Sequence, residues 1–421
     1  MWRTEITVAG GLMVALVAFV AAERVNYNGA QLLRVSTPTP EVRDKLSLLE
    51  EQEDVEKWYL GEKEVDVFVQ AEKVPQVKES LDKDQLEYRV LIDDVQDAID
   101  KENPPLSEDE LNLVGRKGHR MTWQYYHRLE DIHGYMDYLA QTYPNLVSVQ
   151  TIGNSVEGRP LKVIKISSGE PNSKAVWIDG GTHAREWISP ASVTYIINQL
   201  VENRDNYLDE VKGIDFHILP VLNPDGYEYS HTADRLWRKN RGRNYNGVCV
   251  GTDLNRNWGY KWGGAGSSKV PCKEIYAGAQ AFSEPETAAI SNYVLANKAN
   301  MKGYLTFHSY GQYILYPWGY DRKVPPDYMD LARVGYAMGE AMRKQGGHQY
   351  TVGNSATTLY SAAGGADDWA KGQAGVKYAY TVELPDTGRY GFILPATYIQ
   401  PVAKEAFAAV RVLAQEVKNT P

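Results

Sequence analysis

After an apolar run near its start, the chain alternates hydrophobic and polar residues in short blocks whose period switches between 2 and about 3.6, the periods of strand and helix. Gln31 to Ser36 reads as a strand and Pro40 to Glu53 as an amphipathic helix. Val55 to Leu60 and Glu64 to Gln70 read as strands parted by Gly61, Val74 to Asp82 as a helix, and Leu86 to Ile92 as a strand. The order β-α-β-β-α-β predicts a small ferredoxin-like α+β domain. A more polar helical stretch, Val95 to Asn103, follows, and Pro104-Pro105 opens a charged connector. From Met121 onward the blocks are longer. Apolar strands at Ala175 to Ile178, Phe216 to Val221, Tyr304 to Phe307 and Tyr378 to Val382 alternate with helical stretches at Pro190 to Glu202, Glu284 to Asn297, Tyr328 to Lys344 and Val402 to Val417. This predicts an α/β domain on a mixed, largely parallel twisted sheet with helices on both faces. In such sheets chemistry gathers at the carboxyl ends of the strands.

The apolar run, Val8 to Val20, stands behind Arg3 and is closed by Ala21-Ala22-Glu23, the pattern of a secretory signal peptide with cleavage expected after Ala22. The run falls short of the ~20 residues that span a bilayer, so a secreted, extracellular mature protein with no membrane partner is expected. The expected division is a signal at 1–22, a first domain at 23–103, a connector at 104–120 and a main domain at 121–421. A net charge of −9 provides no broad basic surface, which argues against nucleic acid as a partner. Cys249 and Cys272 are the only cysteines. In an exported chain such a pair reads as one disulfide closing a local loop, rather than as half of a zinc site. The connector ends in Gly115-Arg116-Lys117-Gly118-His119-Arg120. A basic, glycine-containing loop between two self-contained units is where a protease cuts. A trypsin-like protease is expected to cut after Arg120 or Lys117; a solvated basic turn is the alternative.

The strand Ala175 to Ile178 runs into Asp179-Gly180-Gly181-Thr182-His183-Ala184-Arg185-Glu186-Trp187, after which Ser189-Pro190 reads as an N-cap and first helical position. His183 and Glu186 then share a strand-to-helix loop, where H-x-x-E can bring an imidazole nitrogen and a carboxylate oxygen to one metal. Alone, that spacing is a weak signal. A second strand ending at His308 and a third ending at Glu383 change the picture. Two histidines and one glutamate make a catalytic zinc site with an open fourth position, and Glu383 is left as a general base.

At these residues the sequence resembles the pancreatic-type zinc metallocarboxypeptidases. The resemblance is carried by Gly180 to Trp187, Arg235-Leu236-Trp237-Arg238-Lys239, Asp253-Leu254-Asn255-Arg256-Asn257-Trp258, Phe307-His308-Ser309-Tyr310, and the block from Tyr360 through Glu383 to Phe392. It spans essentially all of Met121 to Val417, and the preceding segment looks like the family's inhibitory pro-domain. It implies one Zn2+ held by His183, Glu186 and His308, with Asp253 orienting His183. It also implies a zinc-activated water with Glu383 as general base, and Arg238 stabilising the oxyanion. Arg256 with Asn255 would clamp the C-terminal carboxylate of a peptide, and Tyr360 would close over it. Arg185, Ser309 and Tyr310 would line subsites further along the peptide.

Specificity would come from Asp367, which falls at the base of the pocket for the terminal side chain. An acid there is the mark of the carboxypeptidase B branch, with its preference for C-terminal Lys and Arg. Ser355 and Ala356 leave room for a long side chain. The alternative role for Asp367 is capping a turn, which Asp368 could do as well. Two departures stand out: one residue is inserted between Trp369 and Val376, and Pro385 replaces a common Arg. The functional alternatives are an A-type preference for apolar termini, a catalytically weak peptide-binding relative, and a different zinc hydrolase such as a deacylase, against which Asn255, Arg256 and Tyr360 argue.

Overall fold

The computed structural model describes residues 24–420, apart from 38, 53, 62, 107–117 and 246. The apolar run at Val8 to Val20, the cleavage point at Ala22 and Lys117 lie outside the described residues.

The first domain has strands β1 (Gln31–Ser36), β2 (Glu56–Leu60), β3 (Glu64–Val69) and β4 (Tyr88–Ile92), with helices α1 (Pro40–Glu51), α2 (Val74–Lys83) and α3 (Val95–Glu102). Its sheet order is β2-β3-β1-β4, every pairing antiparallel. Successive side chains of a strand point to opposite faces, and here both faces are covered. Leu33, Val35, Val65, Val67 and Val69 face Leu46 and Leu49 of α1 and Val77 and Leu81 of α2. Leu32, Trp58, Phe68 and Ile92 face the other way and pack with Leu236, Tyr310, Phe392 and Ile393 of the second domain. That second face explains why β1 and β3 read as nearly continuous apolar runs instead of clean alternation.

The second domain contains α4 (Leu129–Thr142), β5 (Val147–Asn154), β6 (Pro160–Ile166), β7 (Lys174–Asp179), α5 (Ile188–Val201), β8 (Ile214–Leu219) and α6 (Pro224–Thr232). It continues with α7 (Pro285–Ala296), β9 (Met301–Ser309), β10 (Tyr313–Tyr316), α8 (Tyr328–Gly346), β11 (Thr351–Asn354), α9 (Ala366–Gly372), β12 (Tyr378–Leu384) and α10 (Ile399–Asn419). The eight-stranded sheet has the order β11-β10-β12-β9-β7-β8-β6-β5. Its centre, β12-β9-β7-β8, is parallel. Antiparallel pairings join β10 to β12, β6 to β8 and β5 to β6, so the sheet is mixed, as expected. Val176 and Ile178 of β7 pack with Val193, Ile196 and Leu413 on one face; Ala175 and Trp177 pack with Ile290, Val294 and Trp369 on the other. Helices therefore cover both faces. From β7 the chain passes through α5 to β8 on one side, while β9 lies on the other. This is the switch point outside whose carboxyl ends ligands bind.

Candidate metal centre and active site

Leaving β7, the chain turns at Gly180 and Gly181. Gly181 has φ +65, and a Cβ there would sit 2.9 Å from Pro190 Cγ, so a side chain has neither conformation nor room. The Gly181 amide donates to Ser189 Oγ (3.0 Å), and that hydroxyl donates to the Phe307 carbonyl of β9 (2.6 Å). This corrects the expectation for Ser189-Pro190. Helix α5 begins at Ile188, one residue earlier, and the Ser189 hydroxyl ties the loop to β9 instead of capping its own helix.

The turn places His183 and Glu186 against the end of β9. His183 Nδ1 lies 2.7 Å from Glu186 Oε1, His308 Nδ1 lies 3.1 Å from Glu186 Oε2, and the two Nδ1 atoms are 3.2 Å apart. All three side chains are buried, and their ligand atoms lie within 4.8 Å of one another. Asp253 Oδ1 faces His183 Nε2 at 3.0 Å, which puts the His183 proton on Nε2 and leaves a lone pair on Nδ1. The Ser309 amide donates to Glu186 Oε2 (3.2 Å) and holds the carboxylate in place.

Two imidazole nitrogens facing each other across a carboxylate form a socket for a cation. The electrostatics agree. Burial disfavours the protonated form of His308, yet Glu186 holds its pKa up to about 9. Burial would raise the Glu186 carboxyl, but His183 and His308 hold it well below the usual carboxylate range. Nitrogen and carboxylate donors of this kind suit Zn2+, so the residues fit the ion.

Across from the socket stands Glu383 on β12, in register with His308 on β9. Burial, opposed in part by His308 and reinforced by Glu186, pushes its carboxyl up to about 7. Asp253 caps the short turn Leu254–Arg256 and is fully buried. Its Oδ2 accepts from Arg238 Nη2 (2.8 Å). Burial favours its neutral form, but Arg238, His183 and Arg256 outweigh that and keep it ionised. Arg256 is fixed by its own donations to Gly266 O (2.8 Å) and Asn255 O (2.9 Å), while Asn255 Oδ1 accepts from the Ala366 amide (3.0 Å). The disulfide Cys249–Cys272 closes the loop that carries Asp253, Asn255 and Arg256. Tyr360 stands 37% exposed.

Asp367 and Asp368 open α9 and have different surroundings. Asp368 accepts from the Gly319 and Tyr320 amides, both at 2.8 Å. Asp367 is buried, its Oδ2 has no hydrogen-bond partner, and burial raises its pKa, with backbone hydrogen bonds from the Asp368 and Asp367 amides, then His308 and Arg256, pulling the other way. Asp368 thus ties α9 to the loop at Gly319 and Tyr320, while the Asp367 carboxylate takes amides at the start of α9 and leaves Oδ2 unpaired.

Sequence reasoning missed the side chains that the first domain brings to this edge. Arg34 forms a bidentate pair with Asp66 (2.5 and 2.7 Å) and donates to the Thr387 carbonyl (2.6 Å); Tyr310 donates to Asp66 Oδ2 (3.0 Å). Glu56 accepts from Arg185 Nη1 (2.6 Å), and Tyr59 meets Tyr313 at 2.6 Å, hydroxyl to hydroxyl. Glu102 of α3 forms a bidentate pair with Arg235 (2.6 and 2.5 Å). Among the described residues, no hydrogen bond joins the first domain to His183, Glu186, His308, Glu383, Asn255, Arg256, Tyr360 or Asp367. The one signal was Asp66, an acid inside the apolar strand Glu-Val-Asp-Val-Phe-Val.

Two imidazoles and a carboxylate around one point, with a second carboxylate opposite and buried arginines alongside, define a metal-dependent hydrolase. Comparison with known proteins narrows the class. Residues 132–409 match the zinc carboxypeptidase family, and residues 33–102 match the carboxypeptidase activation peptide. Carboxypeptidase B of Astacus astacus is 47% identical over 71% of this chain and 99% of its own length. Carboxypeptidase A1 of Bos taurus is 36% identical over 97% of this chain and 99% of its own. The crystal structure of thrombin activatable fibrinolysis inhibitor superposes with a TM-score of 0.85 at 35% identity, covering 94% of this chain and all of that one. The chain belongs to the zinc carboxypeptidases and carries the activation peptide of their zymogens.

Proposed function

We propose that the chain is the secreted precursor of a carboxypeptidase that removes C-terminal Lys and Arg, switched on when a trypsin-like protease cuts after Arg120. Zinc held by His183, Glu186 and His308 would supply a Lewis acid that lowers the pKa of water toward neutrality and polarises the scissile carbonyl. Asp253 keeps His183 in the tautomer that presents Nδ1. Glu383 takes a proton from the attacking water and returns it to the leaving amine. Arg238 is anchored on Asp253 through Nε and Nη2, which leaves Nη1 to meet the developing oxyanion. The Arg256 guanidinium and the Asn255 amide take the terminal carboxylate, with Tyr360 closing over it. Arg185, Ser309 and Tyr310 contact the peptide upstream. The first domain blocks this approach: it occupies Arg185 with Glu56 and Tyr310 with Asp66.

The basic preference is carried by one observation, the unpartnered buried Oδ2 of Asp367. A buried carboxylate oxygen without a partner is costly, and a substrate ammonium or guanidinium would complete it. The likeness to the carboxypeptidase B of Astacus astacus points the same way. The test compares release of C-terminal Arg and Phe from otherwise equal peptides after trypsin treatment. Arg should be favoured in kcat/KM, and Asp367→Asn should lower the Arg rate by about 30-fold or more, the lower end of 2–5 kcal/mol for truncating a buried charge pair. Phe strongly preferred over Arg would remove the reading. Equal turnover by the uncut and cut forms would remove the blocking role of the first domain.

A further inference from the structure

The cut after Arg120 has a consequence at the opposite end of α5. Arg120 itself is exposed, with Asp131 at 3.7 Å. The next residue is not: Met121 is 3% exposed and belongs to the main core. Beside it lies a cavity of about 340 Å³ lined by His119, Met121, Trp123, Tyr138, Asn198 and Glu202. In the uncut chain His119 forms part of its wall. Its ring packs against those of Tyr135 (4.7 Å) and Tyr138 (4.8 Å), and its Nδ1 accepts from the Met121 amide (3.2 Å).

Glu202 is the acid in this cavity. It occupies the C-cap position of α5, where the helix dipole adds negative potential. Its Oε2 accepts from Tyr135 Oη (2.8 Å) and Asn198 Nδ2 (2.5 Å). Both partners are neutral, and among the described residues no Lys, Arg or His pairs with Glu202. A half-buried carboxylate at a helix C-terminus, held by neutral donors alone, has room to take a cation.

We propose that the cavity receives the amino terminus that activation creates, the Met121 α-ammonium pairing with the Glu202 carboxylate. The inference rests on the reading that the cut falls after Arg120. The protease adds water across the Arg120–Met121 bond, leaving a carboxylate on Arg120 and an amine on Met121 that takes a proton from solvent. His119 departs with the released segment and uncovers the edge of the stacked Tyr135–Tyr138 pair. The Met121 side chain, already in the core, holds the new ammonium at the cavity mouth. Cleavage would then replace the lost covalent tether with an ion pair that locks the start of the mature domain to the end of α5.

The test uses trypsin-cut protein whose new terminus is identified by mass, then labelled near pH 7 with an acylating reagent, where α-amines react ahead of lysines. Pairing should raise the α-amine pKa by about one unit, which slows labelling about tenfold in wild type relative to Glu202→Gln. Glu202→Gln should also lower the thermal midpoint of the cut form more than that of the uncut precursor. Equal labelling rates, or equal midpoint shifts in both forms, overturn the pairing alone. A terminus other than Met121 overturns both the cleavage reading and the pairing, and the mass separates the cases. Should Glu202→Gln fail to fold, the pH midpoint of labelling in wild type still decides: a midpoint at the ordinary α-amine value, about 7.7–8.0, overturns the pairing.

Discussion

Arg235 and Arg238 leave the same short run of chain, and each ends on a buried carboxylate, yet the two pairs do different work. Arg238 meets Asp253 inside the catalytic domain, on a loop closed by a disulfide. Arg235 meets Glu102, which arrives on the last helix of the activation peptide, and both side chains are 1% exposed. Arg235 also donates to the Arg185 and Phe392 carbonyls and stacks on Trp187, the neighbour of ligand Glu186. A buried pair adds little net stability, but breaking one partner strands a charge. The Arg238 pair lies wholly within the catalytic domain, and its Asp253 also faces His183. The Arg235 pair joins the activation peptide to the catalytic domain and includes none of His183, Glu186 and His308.

The sharpest way to separate the two regions is to disable the catalytic one chemically. Glu383→Gln should lower kcat by about 10²–10⁴-fold, the range for a lost general base, while zinc content and the thermal midpoint stay near wild type. Loss of zinc along with activity would make Glu383 a structural group instead. The next largest effect lies at the seam. Glu102→Gln leaves Arg235 uncompensated and should weaken docking of the activation peptide by about 3–5 kcal/mol, read as a lower urea midpoint for that domain and higher basal turnover by the uncut chain. The cut enzyme no longer carries Glu102, so its kinetics should match wild type; altered mature kinetics would mean that the pair shapes the catalytic domain itself. Smaller again is Asp253→Asn, which keeps the shape but removes the charge behind His183. Zinc affinity should fall by about 10–100-fold in competition with a chelator, and unchanged affinity would place Asp253 in the service of Arg238 alone.

The catalytic half of this contrast was legible in the sequence and the seam was not, for physical reasons. His183, Glu186, His308 and Glu383 stand where strands end, and strand ends can be read from apolar periodicity plus the turn chemistry at Gly180 and Gly181. The faces of β7 were legible too, because Val176 and Ile178 alternate with Ala175 and Trp177. Glu102 and Arg235 lie 133 positions apart and meet only through docking of two domains, which no local spacing encodes. Asp66 shows the intermediate case. An acid in the middle of an apolar strand is visibly anomalous, but its partners Arg34 and Tyr310 follow from sheet pairing and docking. Ser189 shows how a local rule is overridden: Ser-Pro is a good helix start, and a long-range bond to Phe307 took the hydroxyl.

The smallest effect tests a buried pair of the catalytic domain that takes no part in the contrast. Glu405 of α10 is fully buried; its Oε1 lies 2.7 Å from His348 Nδ1 and its Oε2 accepts from Tyr350 Oη at 3.0 Å. Helix α8 must end in glycine to allow this, since a Cβ on Gly346 would sit 1.9 Å from Glu405 Oε1. The hydrogen bond to Glu405 raises the His348 pKa above its ordinary value, burial opposes the shift, and Asp386 adds to it. A raised histidine binds more protons folded than unfolded, so its contribution is complete below the unfolded value near 6.5 and fades as pH rises through the folded one. The thermal midpoint of wild type should therefore exceed that of His348→Gln most at mildly acidic pH, and the gap should close on the alkaline side. A gap of constant size across that range would show that His348 acts by shape and neutral hydrogen bonding, with its charge idle.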